Sequence, residues 1–493
     1  MPPFDPFLHD ADLTLLSTHP NYYAIHPQDI QLPAQPWLDL VTSSELGGRP
    51  PLAIDETIIK LPSEQGMSPK KRHEVAVMAA YIVKLVKNLP EIPFIVDVGA
   101  GQGYLTRALK HNLPQSNILA LDADVAQSEG ARKWENRVLR LGESDPQIDH
   151  KTILITTDNL LAIIDEWVSE KQPSERASSS PVPVLLIGLH ACGSLTPDIL
   201  RAYLSSSRKQ DRHSLWYSSA VVAVGCCYNL MRPGDFPLSK RYSFHPPLPV
   251  AAYHLAAQVP STWLDAAGNA LPSVKLSIRK VVWRALLGRL LEQATSNTTE
   301  NSPTPDNTVN KSATVPARWN RRPEAWESQA NTSSTTARNA AEDDSSTGQT
   351  NNHTRLGRLS DAVYKSWSSF VDAASKKLGI TFPPYVSDLP IGHEPDEPQR
   401  ISTHFNGTNV DFQSLEKRLE VLHVKRCLLG PKVEETILND RMEWFKEELN
   451  ADQDGIDSMV ELDRVNLFNQ SLGSARNVAI VVAPQGCLPK AQG

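Results

Sequence analysis

Between residues 67 and 230, apolar runs of strand length alternate with helical patterns, and this alternation constrains the fold more than anything else in the chain. Ser68 and Pro69 have the N-cap and N1 chemistry of a helix start, and Val75, Met78, Ile82, Val86 and Leu89 follow at three- and four-residue steps. The strand-like runs are FIVDVG (94–99), ILALDAD (118–124), ILITT (153–157), VLLIGLH (184–190) and AVVAVGCCY (220–228). Helical patterns lie between them: YLTRALKHNL, the stretch near 125–140, LLAIIDEWVSEK and DILRAYLS. Successive parallel strands need right-handed crossovers, so the expectation is α/β, a Rossmann-like, doubly wound and mostly parallel sheet.

After residue 230 the pattern turns helical, over 273–293, 359–379 and a pair of helices covering 413–449. A last apolar run, NVAIVVAP (477–484), is expected to return to the same sheet. From 294 to 354, 29 of 61 residues are Ser, Thr or Asn, and only Val309 and Val315 stand for the large aliphatic and Phe class. So little apolar surface cannot offset ordering entropy, and a disordered insertion is expected there. The expected organisation is therefore a helical or irregular extension (1–66), a core (67–293), the insertion (294–354), and a helical elaboration with the sheet-completing strand (355–493).

The net charge of −7 argues against a strongly basic nucleic-acid binder, though not against a local basic groove. No apolar run of spanning length and no signal-peptide pattern is present, which points to cytoplasm, with the nucleus open, and to no membrane partner. Five cysteines without a C-x-x-C pair argue against both a disulfide framework and a structural zinc site, and no metal is expected.

VDVGAGQGYL sets Asp97, Gly99, Gly101 and Gly103 across a strand-to-helix turn, where absent Cβ atoms let a ligand approach the backbone. A dinucleotide fingerprint starting at Gly99 needs a small residue where Tyr104 stands. The G-x-G-x-G spacing after an acid instead suits S-adenosylmethionine, whose ammonium and sulfonium favour a carboxylate such as Asp97. Asp122, ending the next strand, is placed to accept the ribose hydroxyls, and Asp158, after the third, to approach the adenine edge or merely to cap a helix.

The fourth and fifth strands end in GLHACGSLTPD and VGCCYNLM, so His190, Cys226 and Tyr228 become the candidates for the acceptor side. Imidazole can take a proton from a hydroxyl acceptor, and a cysteine attacking a pyrimidine carbon is the covalent alternative. Adjacent Cys226 and Cys227 should face opposite sides of a continuing strand, leaving at most one in the crevice. Lys70, Lys71 and Arg72 form one basic row; Lys275, Arg279, Lys280, Arg284 and Arg289 form another, which also reads as a solvated helix face.

MSPKKRHEV, VDVGAGQGYL, GLHACGSLTPDIL, VGCCYNLM with FPLS (236–239), ILNDRMEW and ARNVAIVV together resemble the methyltransferase-like protein 25 family, a relative of which is called ribosomal RNA adenine dimethylase domain-containing protein. The resemblance covers most of the chain outside the insertion and the extreme N-terminus. It implies a class I methyltransferase fold with S-adenosylmethionine as cofactor. His190, Cys192, Gly193, Thr196, Cys226 and Cys227 are also similar to the pattern of the tRNA ribose 2′-O-methyltransferase acting at position 4. Enzymes that methylate adenine N6 generally carry an Asn/Asp-Pro-Pro-aromatic turn where this chain has residues Gly188 to Gly193, so nothing there is built for an N6 amine.

The expected function is S-adenosylmethionine-dependent methyl transfer to a macromolecule, RNA ahead of protein. A catalytically silent module binding the cofactor, RNA or a protein is the alternative, and a dinucleotide oxidoreductase is disfavoured by Tyr104. A protein partner for the insertion has no support in its residues.

Overall fold

The computed structural model describes residues 13–42, 51–54, 56–139, 146–171, 180–208, 214–243, 248, 250–257, 263–264, 269–299, 356–392, 403–405, 408–451, 460–474 and 476–490. Most of the insertion read from the composition, from residue 300 on, lies outside them. Contacts group the chain into two compact units, one holding the described residues of 47–262 and 430–493, the other those of 11–46 and 263–429.

The first unit begins with α1 (Pro69–Asn88), where the Ser68 hydroxyl accepts from the Lys71 amide at 3.3 Å. Then follow β1 (Phe94–Val98), α2 (Tyr104–Asn112), β2 (Ile118–Asp122), α3 (Val125–Val138) and β3 (Ile148–Thr152). Next come α4 (Thr157–Lys171), β4 (Val182–Cys192), α5 (Leu195–Arg208) and β5 (Trp216–Cys226). In the second unit two short strands, β6 (Thr403–Phe405) and β7 (Thr408–Val410), pair with each other. The chain then adds β8 (Val460–Asn466) and β9 (Val478–Pro484) to the main sheet, whose order is β3-β2-β1-β4-β5-β9-β8. The first five strands are parallel, and β9 runs antiparallel to both β5 and β8. This seven-stranded sheet has the arrangement expected of a Rossmann-like methyltransferase fold.

Period-two alternation divides the core. Ile95, Leu185, Ile187, Val222 and Val481 face one side with Met78, Ile82 and Leu85 of α1. Val96, Val98, Leu186, Val221 and Val482 face the other with Leu160, Ile164 and Trp167 of α4 and Ile199 of α5.

Two strand expectations change. The third strand is IDHKT, not ILITT, because 148–152 pair in register with 118–122. As an edge strand with one neighbour it tolerates polar residues, while the apolar ILIT leaves the sheet and buries Ile155 against the α4 side of the core. β8, with the mixed sequence VELDRVN, carries no apolar run and goes unseen in the sequence.

The second unit contains α6 (Pro272–Thr299) and α7 (Trp367–Leu378), packed around Trp283, whose ring lies 5.5 Å from Trp367 and 5.7 Å from Phe370. The helix pair expected over 413–449 is one helix, α8 (Phe412–Ala451), with Pro431 inside. A proline removes one backbone donor, but Val424, Leu429, Val433 and Ile437, all buried, keep helical spacing across it. Residues 412–429 of α8 belong to the second unit and 430–451 to the first. Among the described residues no helix is long and apolar enough to cross a membrane.

Candidate active site

Gly99, Gly101 and Gly103 all have positive φ, at 79°, 55° and 67°, a region that strongly favours glycine. Packing adds to this at two of them: a Cβ on Gly99 would meet Leu195 Cδ1 at 3.3 Å, and one on Gly103 would meet Ala131 at 3.2 Å. At Gly101 the space is open, with Gln127 Oε1 at 3.9 Å as the nearest atom.

The hydrogen bonds of this loop limit what it can hold. Gly99 and Ala100 both donate to the Leu121 carbonyl at 2.9 Å, and Gly103 donates to Ala100 at the same distance. Gly101 donates to Asp122 Oδ2 at 2.8 Å, while Asp124 donates to Oδ1 at 2.9 Å. The amides of Gly99, Ala100, Gly101 and Gly103 are thus all engaged within the protein, and Gly103 caps the following helix without a side-chain bond. The carboxylates of Asp97 and Asp122 flank the turn, which suits a cation. Each Asp122 oxygen keeps a further lone pair for a hydroxyl donor.

Asp97 lies beneath the loop at 1% exposure and accepts from the Thr106 hydroxyl at 2.6 Å. Burial pushes its carboxyl up to about 6; the Thr106 bond opposes this and the charge of Asp122 adds to it. Asp158 is exposed in the first turn of α4 and does not cap it, since Thr156 Oγ1 takes the Asn159 amide at 3.3 Å. With Thr156, Thr157, Asp198, Arg201 and Arg232 it lines an open cleft of about 500 Å³.

His190, near the end of β4, is 40% exposed, and its Nε2 lies 3.4 Å from Glu74 Oε2 on α1. Glu74 is 2% exposed and also faces Lys70 at 3.6 Å. Burial would raise its carboxyl, but the His190 contact and the charges of His190 and Lys70 outweigh this and hold it below the ordinary value. Sequence reading missed Glu74; its only signal is its place in MSPKKRHEV, on a different element from His190.

The cysteine expectation is overturned. β5 ends at Cys226, and Cys227 takes a left-handed conformation (φ 47°, ψ 48°), so the two sulfurs do not alternate. The sulfurs of Cys192, Cys226 and Cys227 lie within 4.8 Å of one another, Cys192 and Cys226 being 3.0 Å apart. Bonds from Cys192 and Cys226, with the charges of Arg476 and His190, pull the Cys227 thiol down, while the same sharing and burial push Cys226 up.

Tyr228 is placed away from the acceptor side. It is 0% exposed, its hydroxyl donates to Glu434 at 3.0 Å, and the guanidinium groups of Arg441 and Arg476 lie 5.3 and 5.6 Å from its ring. Asp440 accepts from the amides of Leu238 and Ser239 at 2.8 and 2.9 Å and from the Ser239 hydroxyl at 2.8 Å. VGCCYNLM, FPLS, ILNDRMEW and ARNVAIVV, distant in sequence, thus converge behind the end of β5.

Residues 70–234 match the family model of a methyltransferase domain. The match spans the helix before the glycine loop, the first five strands and the strand ends that carry His190 and the thiols, and it supports a methyltransferase. Within this domain the first basic row has partners: Lys70 faces Glu74, Lys71 lies over the Tyr104 ring at 4.7 Å, and Arg72 pairs with Glu64 at 2.7 Å. In the second row, Arg279 and Arg284 donate to Tyr364, Lys280 pairs with Asp361, and Arg289 donates to the Ala24 and Ile25 carbonyls. Those four side chains tie together segments of their own unit.

Proposed function

We propose that this chain is an S-adenosylmethionine-dependent methyltransferase acting on a macromolecule, with RNA favoured over protein as the acceptor. The observation that carries the cofactor is Asp122, which anchors the Gly101 and Asp124 amides and keeps a further lone pair on each oxygen for donor hydroxyls, with the carboxylate of Asp97 below the same turn. Asp97, Gly99, Gly101 and Gly103 would form the methionine side, Asp122 the ribose side and Asp158 the approach to the adenine. Bound there, the cofactor supplies a methyl group on a cationic sulfur, already a good leaving centre.

What the protein must add is alignment and removal of a proton. His190 is the group that removes it. As the acceptor oxygen gains the methyl and loses its hydrogen, imidazole takes that proton. Glu74, 3.4 Å away, orients the ring. A hydroxyl acceptor matches the likeness to a ribose 2′-O-methyltransferase, and RNA is the macromolecule that presents such hydroxyls in series. The absence of a turn for an N6 amine at 188–193 agrees with this.

The test is transfer of a tritiated methyl group from the cofactor into extract of cells lacking the protein, split into RNA and protein fractions. Label in RNA is expected, and label in protein alone would reassign the acceptor. Binding of the cofactor without transfer to either fraction would make this a silent binding module, and no binding would overturn the proposal.

A further inference from the structure

We propose that Cys192, Cys226 and Cys227 form a three-thiolate site for a soft or borderline cation, Zn²⁺ foremost, at the joined ends of β4 and β5. Zinc sites draw ligands from short turns, and the chain has no C-x-x-C to supply them. The turn after β5 supplies them differently. Left-handed Cys227 folds its sulfur back beside that of Cys226, so consecutive residues provide two ligands, and Cys192 from the neighbouring strand provides the third.

Three sulfurs about 2.3 Å from one zinc ion stand roughly 3.7 Å apart. The cluster brackets that spacing, since Cys192 and Cys226 are 3.0 Å apart and all three sulfurs lie within 4.8 Å. Small rotations about χ1 reach the coordinated geometry. A disulfide accounts for two sulfurs and leaves no reason for the third. Cys227 is the one non-glycine residue with positive φ among the described residues, a strained conformation that persists only where its surroundings hold it. Cys192 and Cys227 are each partly exposed, so an ion can enter, and three protein ligands leave a fourth position open, the pattern of a reactive site and not of a closed structural one. The site uses no residue assigned to the cofactor, so metal binding and cofactor binding can be measured separately.

Titration of the reduced full-length protein with Co²⁺ as spectroscopic probe tests the site, with Zn²⁺ affinity measured by competition against a chromophoric chelator. One equivalent of Co²⁺ should produce a thiolate-to-metal charge-transfer band, displaced by Zn²⁺. Cys192→Ser and Cys227→Ser should each weaken Zn²⁺ binding by at least ~100-fold, whereas Cys487→Ser, outside the cluster, should leave it unchanged. Because either variant could fail to fold, X-ray absorption at the zinc edge of the wild-type protein gives a second reading: three sulfur neighbours support the site. A folded, reduced protein with no charge-transfer band, a band that survives both substitutions, or a zinc shell of nitrogen and oxygen only would overturn it. S-adenosylmethionine binding, measured separately, is expected to be unaffected by metal removal, so failure of one proposal does not imply failure of the other.

Discussion

The amide of Gly101 donates to Asp122 Oδ2 at 2.8 Å, so the carboxylate that ends the second strand also fixes the conformation of the loop after the first. Asp122→Ala therefore removes both the proposed ligand for ribose hydroxyls and the anchor of the glycine turn. Cofactor affinity measured by titration calorimetry should fall by about 1 to 3 kcal/mol, the scale of a charge-assisted hydrogen bond. Asp122→Asn, which keeps one carbonyl acceptor for Gly101, should lose less. Equal losses in the two variants would show that the anchoring bond does not matter.

Asp97 gives a pH signature. Its carboxyl, ordinarily near 3.8, rises to about 6 in the fold, so the folded state binds this proton more tightly than the unfolded chain. The associated stability is complete below the unfolded value and is lost as pH climbs through the folded one. Full ionisation corresponds to roughly 3 kcal/mol. Asp97→Asn should therefore flatten the loss of stability in urea unfolding between about pH 4 and pH 6. A cationic ligand beside Asp97 acts in the opposite sense and should drive the proton off. Calorimetry at pH 6 in two buffers of different ionisation enthalpy should then show net proton release on cofactor binding.

Tyr228→Phe separates support from chemistry. The hydroxyl lies on buried Glu434, whose carboxyl is already raised by burial, with Arg476 opposing. Removing the donor should cost about 1 to 3 kcal/mol in urea unfolding and leave cofactor affinity within threefold. Lost methyl transfer at unchanged stability would instead return Tyr228 to the acceptor side.

Four of the first five strands, the last strand and the glycine loop were legible because their signals are local: apolar runs, glycines at fixed spacing, and acids at strand ends. Edge strands were less so. IDHKT and VELDRVN need few apolar residues, and the apolar ILIT beside the first drew attention away from it. The least legible features depend on one dihedral or on distant partners. Nothing in Cys-Cys announces that the second residue is left-handed, and neither Glu74 nor His190 reveals that the other lies 3.4 Å away. Tyr228 was misplaced because its partners, Glu434, Arg441 and Arg476, are more than 200 residues further along the chain.

β9, the antiparallel partner of β5, has a consequence for how the protein is made. About 250 residues separate the end of one from the start of the other. At ribosomal speeds of about 5 to 20 residues per second, the nascent chain spends roughly 10 to 50 s with the β5 edge unpaired and the turn of Cys227 and Tyr228 without its backing. Until the last strand is synthesised, that edge is a template on which another chain can pair.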